Sequence, residues 1–564
     1  MSSVDWRNRN GWNYISSVRN QGACESCWAF GITAMYEAMV RISHCVWCRR
    51  SEGDIRDGVG KQCWDLGNLG EAAAFAEKYG IADPDCFPWT QAAAIYSARE
   101  GAGALPLSPT SDRAGRTVRV PAAHTISDVS AKKQWIDAYG PMAMMFNPPV
   151  DFDSYGGGVY TPTTTTLGAA HSLLVIGFND DAPQPYWIVK NSWGTGWGMG
   201  GFAYIAYSAN LLEPATFYGV NPVDPDPWTK RRLRNGVLLE SGNGSTHNNF
   251  ELFIQLGATL EHWWRENDTS GFPWNRVGVV RPADPWRDTF HDDAADCPVA
   301  IQSTFNRNYE LLYRTMIGGT GDGRVRHVYY DQAAGDWLDA TTFGPPDPIG
   351  IPGFVQSTRG APGDFEAVIL RQSGILEHWT KHNSWPWTYP PGTWYLREQF
   401  GNSIAFAGPA LVQSRLGAIG AVLENGQGEL HYTCTGNDHL MRHFKLPAGS
   451  AAWQLLYTFG NNITSAPCMI EGQFGAGDEL DVGNFELCVA ANGQIQHWYR
   501  DNHALGPWVQ TAVFGNNVFR VIALVEGSFG FDLELIVERF EGGDLHYQHY
   551  WRDGLAWHQG VVIV

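Results

Sequence analysis

An internal repeat dominates the second half of the chain and leaves few folds open to it. From about residue 235 onward, a short apolar segment centred on glutamate or glutamine recurs at intervals of 54 to 62 residues. Each copy is followed by a Phe-Glu-Leu-like segment and by a histidine close to an aromatic residue, with Gly, Asn or Asp turns between them. The central residues of the first segment are Glu240, Gln302, Gln356, Gln413, Glu471 and Glu526. Four short strands per repeat predict an all-β propeller.

The number of copies predicts six blades, with a seventh, decayed blade as the alternative. The fourth copy departs from the pattern, because its second segment reads Ile419-Gly420-Ala421 and its histidine segment is aligned on His431-Tyr432. A histidine in every repeat is better explained by a structural hydrogen bond within each blade than by metal binding. We therefore predict no metal site and no cofactor.

The first part of the chain mixes helical and strand patterns. Apolar spacing predicts helices over 28–42 and over 69–79, the second ended by Gly80. Apolar runs further along predict strands over 172–178, 186–189 and 202–206. Helices followed by strands indicate an α+β domain, so the chain is multidomain.

The boundary between the two parts lies in a Pro-rich and basic segment. Residues 221–234 read NPVDPDPWTKRRLR, which predicts a solvated linker, with a processing site at Lys230-Arg231-Arg232 as the alternative. The predicted domains are therefore 1–220, the linker 221–234, and the propeller 235–564.

Charge and cysteine content restrict the partners and the compartment. The formal net charge is −19, which repels nucleic acid and anionic membranes, and no apolar run is long enough to span a bilayer. Six of the ten cysteines lie within the first 86 residues, which indicates disulfides formed in an oxidising compartment. We expect a secreted or extracellular protein in a mature form without leader or propeptide; the alternative is a protein made without either.

A candidate nucleophile stands at the start of the first predicted helix. In QGACESCWAF, Cys27 opens the helix, where the positive end of the helix dipole favours a thiolate. His171 begins a predicted strand, and Asn191 follows the next strand in YWIVKNSWGTGWG. An asparagine there can orient the imidazole, the third group that a Cys–His pair requires.

These three motifs, in this order, resemble papain-like cysteine peptidases over roughly residues 4–220. The resemblance implies a helical subdomain and a β-barrel-like subdomain, with Cys27 as nucleophile and His171 as base. It further implies that Asn191 holds the ring, that Trp193 shields this hydrogen bond, and that Gln21 contributes to the oxyanion hole. It also implies a Cys24–Cys63 disulfide, and we expect Cys86 to pair with Cys45 or Cys48.

The sequence departs from the family pattern beside the predicted cleft. Glu25 and Ala170 replace the residues usual there, and a glycine-rich run is changed to CWDLG, which contains Asp65 and Gly67. By resemblance, Gly67 lies along the substrate backbone, and we count Ala170 and Trp193 among the substrate-binding residues. Glu25 and Asp65 are expected to favour Lys or Arg before the cleaved bond; the alternative is that both face solvent.

The repeats resemble propeller lectins of the tectonin-like and bacterial fucose-binding kinds, through phrases such as HWWREN and HYWRDG. Aromatic faces stack on sugar rings while Arg, Asp and Asn bind hydroxyl groups, so a glycan ligand is expected. The candidate sugar-binding residues are Trp263, Trp264, Trp379, Trp498, Tyr499 and Trp551.

Together the two resemblances predict an endopeptidase that cleaves protein or peptide substrates and is held on glycosylated surfaces by its propeller. The alternative is a lectin or toxin-like binding protein whose peptidase fold is catalytically silent.

Overall fold

The computed structural model describes residues 3–89, 110–244, 247–280, 293–318, 321–360, 362–383, 392–417, 428–528, 532–554 and 556–564. The chain divides into two compact units. The first unit consists of Met1–Asp226 together with Gly477–Leu480, and the second of Pro227–Ala476 and Asp481–Val564. Within the described residues, no helix has the length and apolar character needed to cross a membrane.

The first unit combines a few helices with one large sheet, as the α+β prediction requires. Its α-helices are Cys27–His44, Glu52–Gly58, Leu69–Tyr79 and Val129–Ala138, and its 3₁₀ turns are Arg113–Gly115, Val150–Ser154 and Tyr207–Ala209. The sheet runs in the order His124–Ile126, Phe217–Gly219, Met142–Phe146, His171–Asn179, Tyr186–Lys190, Phe202–Ala206 and Val159–Tyr160, with Ser3–Asp5 also paired to His171–Asn179. A small second sheet joins Ile81–Ala82 and Thr117–Val118.

The first helix lies unusually close to the strand that begins at His171. A Cβ added to Gly31 would lie 2.4 Å from Ser172 Oγ, so only glycine permits this approach. A Cβ on Gly67 would likewise lie 2.2 Å from the indole of Trp28. The two glycines therefore let the helix that carries Cys27 pack tightly between the sheet and the loop after Cys63.

In the part of the second unit that the structure describes, five four-stranded antiparallel sheets and one five-stranded sheet form the arrangement of a six-bladed propeller. The first blade consists of Leu238–Glu240, Phe250–Leu256, Thr259–Arg265 and Trp274–Val279, and the second of Val299–Gln302, Tyr309–Arg314, Val325–Asp331 and Asp336–Phe343. The third consists of Pro348–Gln356, Phe365–Arg371, Leu376–Lys381 and Trp394–Phe400, and the fourth of Ile404–Gln413, Leu430–Gly436, Met441–Leu446 and Gln454–Phe459. The fifth consists of Cys468–Glu471, Phe485–Ala491, Gln494–Arg500 and Val509–Phe514, and the sixth of Val518–Glu526, Leu533–Glu541, Asp544–Arg552 and Trp557–Val562. A short ribbon, Ile317–Gly318 with Gly321–Asp322, extends from the second blade. The strand Arg234–Gly236 pairs with the first strand of the sixth blade, and Pro227–Lys230 is a short helix.

The repeated glutamates and glutamines are latches between consecutive blades. Five of the six accept a hydrogen bond from a backbone amide of the preceding blade, two residues beyond the central glutamate or glutamine of that blade. The donors Thr304, Thr358, Arg415, Gln473 and Ser528 bind Gln356, Gln413, Glu471, Glu526 and Glu240 at 2.9, 2.7, 3.1, 2.7 and 2.9 Å. The last of these bonds, from Ser528 to Glu240, joins blade six to blade one. The ring of blades is therefore closed by the same kind of hydrogen bond that joins consecutive blades.

The recurring histidines form hydrogen bonds within the blades, as the sequence predicts. In five blades the histidine Nε2 contacts the glutamate of the adjacent strand; the pairs are His262–Glu251, His327–Glu310, His378–Glu366, His497–Glu486 and His549–Glu534. In two of these blades the other ring nitrogen also accepts a hydrogen bond from the next blade, because Trp453 and Trp557 donate to Nδ1 of His378 and His497 at 3.2 and 3.4 Å. Burial between strands and blades explains why the motif is repeated.

The fourth blade is aligned differently from the sequence prediction. His431 lies on the second strand, in the position of the missing glutamate, and the third strand carries His443 instead. His431 Nδ1 and His443 Nε2 are 2.9 Å apart, so a histidine pair replaces the usual Glu–His pair. The segment Ile419-Gly420-Ala421, to which the second segment was assigned, lies outside the described residues.

The basic segment before the propeller is buried rather than solvated, contrary to the linker prediction. Lys230 Nζ donates to Glu240 at 2.7 Å, Arg232 lies 3.7 Å from Glu471, and Arg234 donates to the carbonyl oxygen of Gln302 at 2.8 Å. These cations therefore reach the anchor positions of three blades, and their burial explains why the basic residues are clustered.

Candidate active site

The first helix and the strand beginning at His171 bring the predicted catalytic residues together. Cys27 and His171 are both buried, with 1% and 5% of their surfaces exposed. The backbone amide of Ser172, the residue after His171, lies close enough to the Cys27 thiol to lower its pKa. His171 Nε2 lies 2.8 Å from Asn191 Oδ1, and the ring of Trp193 lies 4.4 Å from the imidazole. Trp193 therefore covers the His–Asn contact on one side, where the sequence placed it.

The hydrogen bond to Asn191 fixes the histidine tautomer. An amide oxygen accepts, so Nε2 carries the proton and donates to Asn191. Nδ1 is then the basic nitrogen of neutral His171. This assignment gives His171 the role of a base toward a thiol proton.

Burial determines the charge state of both groups. It raises the pKa of the Cys27 thiol to about 11, although the amides of Ser172 and Trp28 act in the opposite direction. It lowers the pKa of His171 to about 4, against the effect of the Asn191 hydrogen bond. At neutral pH both shifts favour a neutral thiol and a neutral imidazole. The expected thiolate is therefore not favoured in the resting site, because burial outweighs the amides at the helix N-terminus.

Gln21 is placed beside the nucleophile by two hydrogen bonds. Its side-chain oxygen accepts from Ser192 Oγ at 2.6 Å, and its Nε2 donates one proton to the carbonyl oxygen of Cys24 at 2.8 Å. The remaining Nε2 proton can serve a second acceptor. This geometry is compatible with a donor that stabilises an oxyanion.

The residues at the three places where the sequence departs from the family pattern have different surroundings. Asp65 Oδ2 accepts the backbone amide of Gln62 at 2.8 Å, so this carboxylate closes its own turn. Glu25 is exposed, and its negative charge contributes to the raised pKa of Cys27. Gly67 is buried against Trp28, and Ala170 is half-buried. Of the two acidic residues, Asp65 is therefore held in its own turn, whereas Glu25 is exposed.

The cysteines agree with one predicted disulfide and contradict the other. Cys24 and Cys63 are bonded. Cys86 is not disulfide-bonded, and its sulfur accepts a hydrogen bond from Thr110 at 3.2 Å; Cys45 and Cys48 are also unbridged. The prediction for Cys86 was wrong, because spacing along the chain does not establish that two thiols can meet in space.

The comparisons with known proteins bear on this part of the chain. Residues 1–218 match the family model described as papain family cysteine protease. This part of the chain has a papain-like fold. Pro-cathepsin H of Bos taurus is 30% identical over 217 residues, which make up 37% of this chain and 61% of that protein. Ananain of Ananas comosus is 30% identical over 230 residues, or 40% of this chain and 60% of ananain.

The chain spans about three fifths of the length of these two relatives. Among solved structures, the bromelain protease from Ananas comosus in complex with the E64 inhibitor is similar at 23% identity. That match covers 39% of this chain and 99% of the bromelain chain, with a TM-score of 0.33.

The predicted sugar-binding aromatics do not form one cluster, since they belong to blades one, three, five and six. Three of them pack at blade boundaries or bond within their own strand. Trp379 packs on Phe343 and Trp498 on Phe459, with ring centroids 5.6 and 5.4 Å apart, and Trp263 donates to Glu261 at 3.1 Å. Trp264 and Tyr499 are half-buried on the third strands of blades one and five.

Trp551 differs from the others because it lines a cavity of about 270 Å³ between the first and sixth blades. Arg265 donates to Glu534 at 3.4 Å in this cavity, and burial lowers the pKa of Arg265. Burial and the Glu534 carboxylate raise the pKa of Asp532 to about 7. The lining residues are Arg265, Gly271, Phe272, Asp532, Glu534, His549, Trp551, Gly560 and Val561. The sequence analysis did not select Arg265, although it stands in the HWWREN phrase, and it missed Phe272 and Asp532, which lie outside the repeated phrases.

Proposed function

We propose that the protein is a cysteine endopeptidase in which Cys27, His171, Asn191 and Gln21 hydrolyse a peptide bond. The observation that carries this proposal is the 2.8 Å contact between His171 Nε2 and Asn191 Oδ1. It leaves Nδ1 as the basic nitrogen, in a histidine whose neighbour Ser172 contacts the Cys27 thiol. An oriented base beside a thiol is the arrangement that nucleophilic catalysis needs.

The proposed reaction has two steps. The Cys27 sulfur attacks the peptide carbonyl carbon while its proton passes to His171 Nδ1, and the carbonyl π electrons move to oxygen. The amide of Cys27 and Nε2 of Gln21 bind this oxyanion. As the oxyanion collapses, the C–N bond breaks and His171 gives its proton to the leaving amine, which leaves a thioester.

In the second step, His171 takes a proton from water as the oxygen of that water attacks the thioester. The C–S bond then breaks, the acid product leaves, and the proton returns to the Cys27 sulfur. Since thiolate and imidazolium form together by this proton transfer, a neutral resting pair is compatible with catalysis.

Labelling of the nucleophile tests this assignment. A thiol-directed epoxide, added to the whole protein, is expected to form one adduct detected by intact mass. Cys27→Ser is expected to give no adduct, while Cys86→Ser, which removes a different thiol of the same domain, is expected to be labelled normally. Labelling that persists in Cys27→Ser, or an unlabelled wild-type protein, would reject Cys27 as the nucleophile and favour a silent peptidase fold.

We also propose that the propeller binds a glycan in the cavity between its first and sixth blades. Trp551 and Phe272 offer apolar ring faces there, and Arg265, Asp532 and Glu534 offer groups that bind hydroxyls. The cavity of about 270 Å³ is close to the lower end of the ~300–1,000 Å³ range of small-molecule sites. A site of this kind would concentrate the peptidase on glycosylated, extracellular substrates.

Binding to a panel of immobilised mono- and oligosaccharides tests the glycan site. The whole chain carrying Cys27→Ser is used, so that proteolysis does not interfere. Trp551→Ala is expected to reduce binding about fivefold or more, because the stacked face is worth about 1 kcal/mol or more. Phe519→Ala, an exposed aromatic of the same blade, is the control and should bind normally. Absence of binding by the parent protein, or equal binding by Trp551→Ala, contradicts the proposal.

A further inference from the structure

A buried carboxylate in the first unit comes from a distant part of the sequence. Gly477–Leu480 belong to this unit, and Glu479 within them is only 1% exposed. Its carboxylate accepts the backbone amide of Ser17 at 2.9 Å and Ser17 Oγ at 2.5 Å, and lies 3.5 Å from Arg19. A buried carboxylate is costly unless it is paired and hydrogen-bonded, so these contacts hold residues 17 and 19 firmly.

The segment that Glu479 holds leads directly to the active site. Lys190 Nζ donates to the carbonyl oxygen and to Oγ of Ser16, at 2.8 and 3.0 Å. At the other end of the segment, the amide of Gln21 donates to the carbonyl oxygen of Ser192 at 2.8 Å. Residues 16–21 therefore bond the neighbours of Asn191 on both sides and carry the candidate oxyanion donor.

The same carboxylate takes part in a buried cluster of charges. Arg19 donates to Glu37 at 2.6 Å and also pairs with Glu52. Burial lowers the pKa of Lys190 to about 8, and Arg19 lowers it further, while Glu37, Glu479 and Glu52 act to raise it. These four groups are the charges that face Lys190, so Glu479 helps to keep this lysine protonated beside Asn191.

We propose that Glu479 is a positioning residue for the peptidase site. It holds Ser17 and Arg19, and through them it fixes Gln21 and the strand end that carries Asn191. The inference rests on the proposed peptidase function. It adds a residue outside residues 1–218, the part of the chain that matches the family model.

Steady-state kinetics of Glu479→Gln in the whole chain test this role. Glutamine has a similar shape but turns an amide donor toward the donors of Ser17 and Arg19. We expect kcat to fall about tenfold with KM changed less than twofold, because misplaced catalytic donors reduce the rate rather than binding. Glu541→Gln, a glutamate with 58% of its side chain exposed, is the matched control and should have normal kinetics.

A pH profile separates positioning from general destabilisation. Loss of the negative charge at 479 lowers the pKa of Lys190 further, so Lys190 loses its proton at a lower pH. The alkaline limb of kcat is therefore expected to move to lower pH in Glu479→Gln and to be restored in Glu479→Asp. A folded Glu479→Gln protein with the kcat and pH profile of wild type overturns the inference alone. A wild-type protein without activity overturns the proposed function and this inference with it.

Discussion

At the scale of single residues, the two acidic departures from the family pattern are not equivalent. Asp65 is engaged with the Gln62 amide in its own turn, whereas Glu25 is exposed and its charge acts on Cys27 two residues away. A carboxylate so close to the nucleophile favours a cation in the adjoining part of a bound peptide. We therefore propose that Glu25, rather than both residues, would give a preference for Lys or Arg before the cleaved bond.

At the scale of elements, the basic segment ahead of the propeller acts as part of its core. Lys230 and Glu240 form a pair with 6% and 3% of their side chains exposed, and Glu240 also accepts the bond that closes the ring of blades. Removal of one partner from a buried ion pair leaves the other charge uncompensated. The sequence 230–234 therefore belongs with the stability of the propeller.

A substitution in this segment is expected to weaken the second unit. Lys230→Ala should lower the free energy of unfolding by about 3 kcal/mol, because Glu240 would remain buried without its cation. Chemical denaturation followed by tryptophan fluorescence measures the change, since the propeller is rich in tryptophan. Arg276→Ala, which removes an arginine with 48% of its side chain exposed, is the control and should leave stability nearly unchanged. Equal stability of Lys230→Ala and wild type would contradict this account of the segment.

At the scale of the whole molecule, the sequence was sufficient for the features that depend on recurring local patterns. Six blades could be predicted because the central glutamate or glutamine recurs in all six repeats and the Glu–His pair recurs in five of them. Cys27, His171 and Asn191 could be proposed as a site because each stands in a motif at a helix or strand end, and their catalytic roles stay a prediction. The six-bladed arrangement and the papain-like fold of the first unit are both confirmed.

Contacts between residues distant in sequence could not be predicted from motifs, spacing and composition. In the fourth blade His431 takes the place of the glutamate on the second strand. The sequence prediction therefore aligned His431 with the third-strand histidines of the other blades, whereas His443 occupies that strand. The pairing expected for Cys86 and the solvated linker failed for the same reason: spacing and composition do not reveal what a side chain meets after folding. Glu479 lies 462 residues from Ser17, and its local sequence, Gly-Asp-Glu-Leu, carries no sign of that contact.

Peptide hydrolysis tests directly whether Cys27 and Asn191 belong to a catalytic site. Initial rates are measured on a peptide with arginine before the scissile bond, for wild type, Cys27→Ser and Asn191→Ala, beside a matched peptide with glutamate in that position. We predict turnover by the wild-type protein and no turnover by Cys27→Ser. In Asn191→Ala we expect a kcat reduced about 10²-fold, because the histidine base is no longer oriented. We also predict faster cleavage of the arginine peptide. Hydrolysis by Cys27→Ser at the wild-type rate, or none by wild type, would contradict the account.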